Sequence, residues 1–256
     1  MKAEGVEAGV WRVGLQVRSY DVDFKRRATL DSMCRNFFDA AWSHAEALGI
    51  GYTHLAAQEK FWVLSRLVVT LKRLPDWGEA VTLNTWPREP RGIFALRDFV
   101  VVDSKGERLL GGASAWLVLD AHSHRPQRLD KLQWSLKRFP AERATEQDPE
   151  KLADHENGTE CFSALVRYSD LDVNDHVNSA TYIRWLMDAY APEFHRNHRV
   201  RSLEVNYLGE TTGGQTVSVL KQDGQAGEVW HLIRTGTEVS CRAHLVWERD
   251  AGNSAA

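Results

Sequence analysis

The segment RYSDLDVNDHVNSATYIRWL, residues 167–186, concentrates side chains that could catalyse acyl transfer. Asp172, Asn174 and His176 stand at alternate positions, and alternate side chains of an extended backbone project from one face. We therefore expect all three to point into one cleft. An acid, an amide and an imidazole suit attack of water on an acyl carbonyl, because a carboxylate or an imidazole can activate that water.

The residues after this triad predict the start of a helix. Asn178 or Ser179 can cap it, and its first backbone amides can stabilise negative charge on an oxyanion. Cap and turn chemistry would also explain the aspartate and asparagine of the triad, and a lone histidine is often structural. Spacing by itself leaves a catalytic and a structural interpretation open.

Glu210 is a second candidate acid, in the segment NYLGETTGGQTV. It follows a predicted strand and precedes a glycine-rich turn, and Thr211 is the next residue. A glutamate in a loop is usually a solvated surface residue, so its position alone does not decide its role.

Two similar halves of the chain must position these side chains. In the first half, apolar residues at spacings of three and four predict a buried helix over residues 30–48. The second half predicts a helix over residues 179–190. The predicted strands are residues 11–20, 61–71, 80–86, 93–102 and 109–119 in the first half, and 161–168, 203–207, 216–222, 229–235 and 238–247 in the second.

This repeated order of strand, long helix and consecutive strands predicts a duplicated unit with an antiparallel sheet and a helix on one face. We expect a first unit over residues 1–125 and a second unit over residues 161–256. Residues 126–160 are polar and proline-containing, and they are interpreted as a connector.

Composition limits the class of protein. The 256 residues are 43% hydrophobic and carry a formal charge of -3, without the basic excess of a nucleic-acid binder. No apolar run approaches the ~18 residues that span a bilayer, and the first 15 residues lack the apolar core of a signal peptide. The three cysteines have no zinc-site spacing and fit a reducing compartment. We expect a cytoplasmic protein with no metal, no nucleic-acid partner and no membrane span.

Several segments, in one order along nearly the whole chain, resemble the acyl-acyl carrier protein thioesterases of plant plastids and their bacterial relatives. They are WVLSRLVVTLKRLPDWGEAVTLNTW, LRDFVVVDSKGE, GASAWLVLD, RYSDLDVNDHVNSATYIRW and LEVNYLGE. The resemblance implies an α+β double hotdog fold, in which two fused units each wrap an antiparallel sheet around a long helix. The plant enzymes' amino-terminal transit region has no match here, so we expect a bacterial cytoplasmic protein.

The resemblance also implies roles for particular residues. Asp172, Asn174 and His176 match the active-site motif of the family, and Glu210 matches its acidic residue on a later strand. The plant pattern has a cysteine after that glutamate, whereas this chain has Thr211, which weakens a thiol mechanism. We expect direct hydrolysis without a cofactor, with Glu210 or Asp172 as the base. His176 would orient or polarise the thioester, and Asn174 would hold the water or the carbonyl.

The implied substrate is a fatty acyl chain carried on acyl carrier protein. The family places this chain in the first unit, against its central helix. The candidate tunnel wall there, which ordinary core packing would explain as well, is Met33, Phe37, Phe38, Ala41 and Trp42.

Acyl carrier protein is acidic, so a chain of negative net charge needs a local basic surface to bind it. The segment HRNHRVR supplies the first candidates, Arg196, Arg199 and Arg201. Further candidates are Arg88, Arg91, Lys25, Arg26 and Arg27.

Two alternatives stay open at this point. The chain could be an acyl-coenzyme A thioesterase, which the sequence separates poorly from a carrier-protein thioesterase. It could also be a non-catalytic acyl-binding hotdog protein, although the separate reader domain that such a regulator needs is not present. The oligomeric state is open as well, and a homodimer is one expectation.

Overall fold

The computed structural model describes the backbone of residues 2–7 and all of residues 9–129, 142–155 and 158–250. Contacts divide the chain into two compact units, Met1–Pro149 and Glu150–Ala256. This division falls inside the predicted connector, of which residues 130–141 and 156–157 lie outside the described residues.

The first unit is an antiparallel sheet with a long helix. The sheet order is β1-β2-β4-β5-β6-β3. In chain order the elements are β1 (Lys2–Glu7), β2 (Val10–Gln16), α1 (Leu30–Ala47), α2 (Tyr52–Ala56), β3 (Lys60–Leu71), β4 (Ala80–Pro87), β5 (Ala95–Val102) and β6 (Arg108–Asp120).

The second unit repeats this plan with a shorter helix. Its antiparallel strands follow the order β8-β11-β10-β9-β7. The elements are β7 (Thr159–Leu165), α3 (Ser179–Asp188), α4 (Pro192–Asn197), β8 (His198–Tyr207), β9 (Thr216–Asp223), β10 (Glu228–Thr235) and β11 (Glu238–Arg249). The predicted α+β duplication of a helix and an antiparallel sheet is confirmed.

Helix α1 buries much of the face that its apolar spacing predicted, although Trp42 of that face is half exposed. Thr29 caps its start, with Oγ1 accepting from the Ser32 amide, and Gly49 follows its end at φ +70°, which favours glycine. Phe37 is fully buried and stacks on Phe99 of β5, with ring centroids 4.7 Å apart. The helix thereby packs against β5, and it also contacts β2 and β4.

The described part of the connector bonds to the sheets. In the first unit the Ala144 amide donates to the buried Asp98 carboxylate (2.8 Å), which also forms an ion pair with Arg88. In the second unit the Leu152 amide donates to Asn206 Oδ1 (2.8 Å), and Arg242 pairs with Asp154. Hydrogen bonds therefore anchor residues 142–154 on both sides of the division.

Three strand predictions were wrong at their ends. Strand β1 was not predicted. Strand β8 begins at His198 rather than at residue 203; its first four residues include two arginines, and Val200 is the one buried residue among them. The predicted strands over residues 11–20 and 161–168 both end early, where the chain enters the short 3-10 turns Ser19–Asp21 and Tyr168–Asp170.

Candidate active site

The segment with the predicted triad is a tight turn, so the extended backbone expected for it was wrong. The Asp172 amide donates to the His176 carbonyl (2.8 Å), and Asp175 takes φ +62°. Asp172 Oδ1 accepts from the amides of Asn174 (2.8 Å) and His176 (3.4 Å). A short aspartate side chain commonly closes such a turn. We call residues 167–178 the second-unit turn.

The turn nevertheless brings His176 against Glu210, which lies beyond the end of β8. His176 Nε2 is 3.4 Å from Glu210 Oε2, and the two side chains are 36% and 46% exposed. Backbone bonds fix this approach: the Val177 amide donates to the Thr211 carbonyl (2.8 Å), and His176 bridges Thr212. An imidazole and a carboxylate thus meet at a site that water can reach.

Asp172 and Asn174 contribute differently from His176. The Asp172 carboxylate is half-buried and engaged by the turn's own amides. Asn174 is exposed at the tip of the turn. Of the four predicted catalytic residues, the structure brings His176 and Glu210 into contact, and it places Asp172 where it holds the turn.

Helix α3 begins immediately after this turn, and its predicted cap is confirmed. Asn178 Oδ1 accepts from the Ala180 amide (2.9 Å), and the Thr181 amide donates to the Asn178 carbonyl (2.8 Å). The cap therefore uses two of the amides that could have bound an oxyanion. Asp170, buried in the same turn, pairs with Arg184 of α3.

Thr211 stands where the plant pattern has cysteine, and its hydroxyl belongs to a buried chain of hydroxyl groups. Tyr182 Oη donates to Thr211 Oγ1 (2.9 Å), which donates to Ser240 Oγ (3.1 Å). Burial above all raises the pKa of Tyr182 to about 12, so it stays a donor at neutral pH. Thr211 itself is fully buried and cannot meet a substrate as a nucleophile.

The three cysteines are unsuited to nucleophilic attack. Cys34 and Cys241 are fully buried, and burial raises the pKa of each thiol. Burial also raises the pKa of Cys161, whose Sγ donates to the Val219 carbonyl (3.3 Å). Because the thiolate is the reactive form, none of the three is activated.

The predicted tunnel residues divide between the two sides of α1. Met33, Phe37 and Ala41 are buried, Phe38 packs edge-on against Trp116, and Trp42 is half exposed and stacks on Tyr52. Of the five, Met33 lines a cavity of about 280 Å³ between α1 and β2, at the small end for ligand pockets. The cavity lining is Gly14, Leu15, Gln16, Val17, Arg18, Asp21, Ala28, Ser32, Met33, Asn36 and Val81.

The predicted basic segment lies at the other end of β8 from Glu210. Arg201 is near the start of this strand, and at ~3.3 Å per residue the remainder spans roughly 20 Å. Arg196 pairs with Glu193 and Arg199 pairs with Glu248, each at 2.8 Å. The segment is therefore distant from the His176–Glu210 pair, and two of its arginines are in ion pairs.

The structure reveals a second copy of the turn that the sequence reading missed. Residues 18–29, here called the first-unit turn, have the same backbone bonds: Asp23 N–H to Arg27 O (2.9 Å), and Asp23 Oδ1 accepting from the Lys25 amide (2.8 Å). Arg26 takes φ +60°. Aligning RSYDVDFKRRAT with RYSDLDVNDHVN would have found it, since arginine and two aspartates recur at equal spacing.

Among the described residues, no group of three or more His, Cys, Asp or Glu side chains gathers as a metal site. Within the same ranges, every helix is too short or too polar to cross a membrane.

Comparison with protein families gives two matches in chain order. Residues 9–132 match the acyl-ACP thioesterase N-terminal domain, and residues 154–249 match the acyl-ACP thioesterase C-terminal domain. A chloroplastic acyl-[acyl-carrier-protein] hydrolase of Cuphea viscosissima is 26% identical over 243 residues, which cover 88% of this chain. The chain spans 59% of the length of that relative.

Solved structures match both units together. An acyl-ACP thioesterase from Bacteroides thetaiotaomicron superposes with a TM-score of 0.83 at 26% identity, covering 94% of this chain and 98% of that one. A 12:0-ACP thioesterase from Umbellularia californica gives a TM-score of 0.84 at 23% identity, covering 96% and 100%, which supports the fold alone. The double hotdog fold is thereby confirmed.

Proposed function

The chain belongs to the acyl-ACP thioesterase family, and from this premise we propose that it hydrolyses fatty acyl thioesters carried on acyl carrier protein. The products would be a free fatty acid and the carrier thiol. The observation that carries the proposal is the contact of His176 with Glu210, an imidazole and a carboxylate 3.4 Å apart at a half-exposed site. The expected cytoplasmic location and the expected homodimer stay predictions.

In the proposed reaction Glu210 is the general base. Its carboxylate takes a proton from water, the water oxygen bonds to the thioester carbonyl carbon, and the carbon–sulfur bond breaks. The leaving sulfur then takes up the proton. His176 holds the carboxylate and polarises the thioester, and Asn174 at the tip of the turn holds the water or the carbonyl. Asp172 suits the base role less well, because the turn amides already occupy its carboxylate.

Direct attack by water is favoured over a covalent route. The hydroxyl that replaces the plant cysteine, that of Thr211, is buried and hydrogen-bonded on both sides. The cysteine thiols are hindered by burial and by raised pKa values. A water molecule is the remaining nucleophile that the half-exposed His176–Glu210 pair can activate.

We place the acyl chain in the first unit, at the cavity beside α1. Met33 and Ala28 give this cavity apolar wall, and its volume of about 280 Å³ suits a short or medium chain better than a long one. Phe37 does not line this cavity and stacks on Phe99. Phe37, Phe38, Ala41 and Trp42 stay predicted contacts of a bound chain.

One comparison of rates tests the function and its nearest alternative. Purified protein is incubated with a carrier-linked and a coenzyme A thioester of one fatty acid, and released thiol is measured. We expect Glu210→Gln to lower turnover by ~10²–10³-fold, the usual effect of removing a general base. Glu204→Gln is the matched control, since Glu204 lies in the same unit and also faces a histidine, His244, at 3.6 Å.

The outcomes separate the candidates. A preference for the carrier-linked substrate supports the proposal, and equal or greater rates with coenzyme A favour the acyl-coenzyme A alternative. No hydrolysis of either substrate, with acyl binding retained, would identify a non-catalytic acyl-binding protein. Equal losses in the Glu210 and Glu204 variants would contradict the assignment of the base.

A further inference from the structure

The first-unit and second-unit turns are two copies of one backbone. In both, the aspartate after the 3-10 turn accepts from the amide two residues on, at 2.8 Å. In both, an amide of the turn donates to a carbonyl of the loop that follows a strand, β3 or β8. The Ala28 amide donates to the Pro75 carbonyl and the Val177 amide to the Thr211 carbonyl, each at 2.8 Å. Differences between the outward side chains therefore arise from sequence and not from backbone shape.

The first-unit turn lacks the groups that the proposed hydrolysis uses in the second unit. Arg27 occupies the position of His176, and Leu74 occupies the position of Glu210. Lys25 stands where the second unit has Asn174. Without an imidazole or a carboxylate at these positions, the first-unit turn cannot activate water as the second-unit turn is proposed to do.

The charge of the turn is reversed as well. Four cations at residues 18, 25, 26 and 27 against two carboxylates at residues 21 and 23 leave a formal +2. The second-unit turn has one arginine against three aspartates, which leaves -2 with His176 neutral. The neighbouring carboxylates of Asp76 and Glu79 form ion pairs with Arg73, with nitrogen–oxygen distances of 4.0 and 2.7 Å. The first-unit turn is therefore a local basic surface on a chain of net charge -3.

Large aromatic side chains are exposed among these cations. Tyr20 is 96% exposed, Phe24 54% and Trp77 50%, and the Arg26 guanidinium lies 5.2 Å from the centre of the Trp77 ring. In the second unit, Gly213 occupies the position of Trp77. Exposed aromatic residues next to arginine are the composition enriched at protein interfaces, where they supply most of the binding energy.

We propose that the first-unit turn, with Trp77, is the docking surface for an acidic protein, and that this protein is the acyl carrier protein. The inference rests on the proposed function. Charge complementarity selects the partner, since the chain as a whole repels an acidic protein and this turn attracts one. Arg18 and Asp21 of the same turn also line the cavity beside α1, so a docked carrier would lie next to it.

The test exchanges first-unit residues for their second-unit counterparts. The variant Lys25→Asn/Arg26→Asp removes two positive charges and adds one negative charge, a net change of three units, and Arg26→Asp places at φ +60° the residue type that the second unit has at φ +62°. The variant Trp77→Gly removes the exposed ring. The matched control, Arg196→Asp/Arg201→Asn, makes the same change of charge in the segment that the sequence suggested.

Each protein is assayed with a carrier-linked thioester and with the small, uncharged N-acetylcysteamine thioester of the same acyl chain. We expect both first-unit variants to raise KM for the carrier-linked substrate by roughly tenfold with kcat unchanged. The N-acetylcysteamine thioester should be unaffected, and so should both substrates in the control. In the wild type, added salt should raise KM for the carrier-linked substrate alone.

Several results would overturn the proposal. The first is an equal rise of KM for the two substrates in the first-unit variants, and the second is an equal rise of KM in the control variant. The third is a KM of the wild type that does not depend on salt, a measurement that requires no variant to fold. A wild-type dimer that Trp77→Gly converts to a monomer, by light scattering and with KM unchanged, would make this surface a contact between copies of the chain. Wild-type protein that hydrolyses neither substrate would contradict the proposed function itself.

Discussion

The buried hydroxyl chain at Thr211 should hold the His176–Glu210 pair in place, and removing one hydroxyl tests this. Thr211→Val keeps the shape of the side chain but leaves the Tyr182 hydroxyl, at 2.9 Å, without its acceptor. Tyr182 is 3% exposed, so water cannot readily replace that acceptor. A buried donor without a partner costs about 1–3 kcal/mol of the free energy of unfolding.

A double-mutant cycle separates the hydrogen bond from the general effects of substitution. Tyr182→Phe removes the donor, and in the variant with both changes no unpaired hydroxyl of this pair remains. We expect the double variant to be less destabilised than the sum of the single variants by about 1 kcal/mol, within the range for residues in contact. Urea unfolding of the four proteins measures these differences.

Turnover should also fall in Thr211→Val, because the backbone carbonyl of Thr211 accepts the Val177 amide beside His176. A shift of this loop would lengthen the His176–Glu210 approach, and we expect kcat to fall about tenfold, equal to ~1.4 kcal/mol. Thr211→Ser, which keeps the hydroxyl, should restore turnover. Thr235→Val is the control, since its hydroxyl lies at the far end of the chain, 3.3 Å from Ser240 Oγ.

The reasoning would be refuted by additive losses of stability, within ~0.3–0.5 kcal/mol, in the double variant. It would also be refuted if Thr211→Val lost stability but kept full turnover. In that case the hydroxyl chain would support the fold without positioning Glu210.

Two other predictions concern the cavity and acid stability. Met33→Trp should fill the cavity beside α1 and shift the preferred thioester toward shorter acyl chains; an unchanged profile of rates against chain length would remove the acyl site from this cavity. Burial above all lowers the pKa of His44 and His231 to about 3. Below pH 6.5 these histidines are therefore protonated in the unfolded state while they stay neutral in the native state. Stability should therefore fall from pH 6.5 toward pH 3, by ~2 kcal/mol per histidine at pH 5, which urea unfolding against pH measures.

Local patterns in the sequence were sufficient for the main elements of the fold. Helix α1 and most strands were predicted within a few residues, because the periods of apolar residues, 3.6 in helices and 2 in strands, are local properties. Strand β1 and the start of β8 were missed. A strand that is paired at its edge with another segment needs no apolar alternation of its own, and in β8 the half-buried Arg199 and the exposed Arg201 interrupt the apolar pattern.

The residue types of the candidate site were also readable, but their arrangement was not. Asp172, Asn174 and His176 were assigned to one face on the assumption of an extended backbone. The Asp172 carboxylate instead accepts hydrogen bonds from two amides of its own turn. Such side-chain bonds compete with the backbone bonds of a β-sheet, and the surrounding contacts decide which form. The position of the basic segment at Arg196 was also not readable from the sequence, because this segment follows α3 along the chain but lies far from Glu210 in the structure.

The sequence alone was enough to identify a duplicated unit and the family and to propose candidate residues for activating water, because these depend on local period and on residue type. The contact of Glu210 with His176, at 3.4 Å, depends on the tertiary structure, since 33 residues with two helices and a strand separate the two along the chain. The tertiary structure also decided that Asp172 holds a turn and that Thr211 is buried. These outcomes depend on hydrogen bonds between distant segments, and the energies of such bonds are fixed only when the strands and helices have packed.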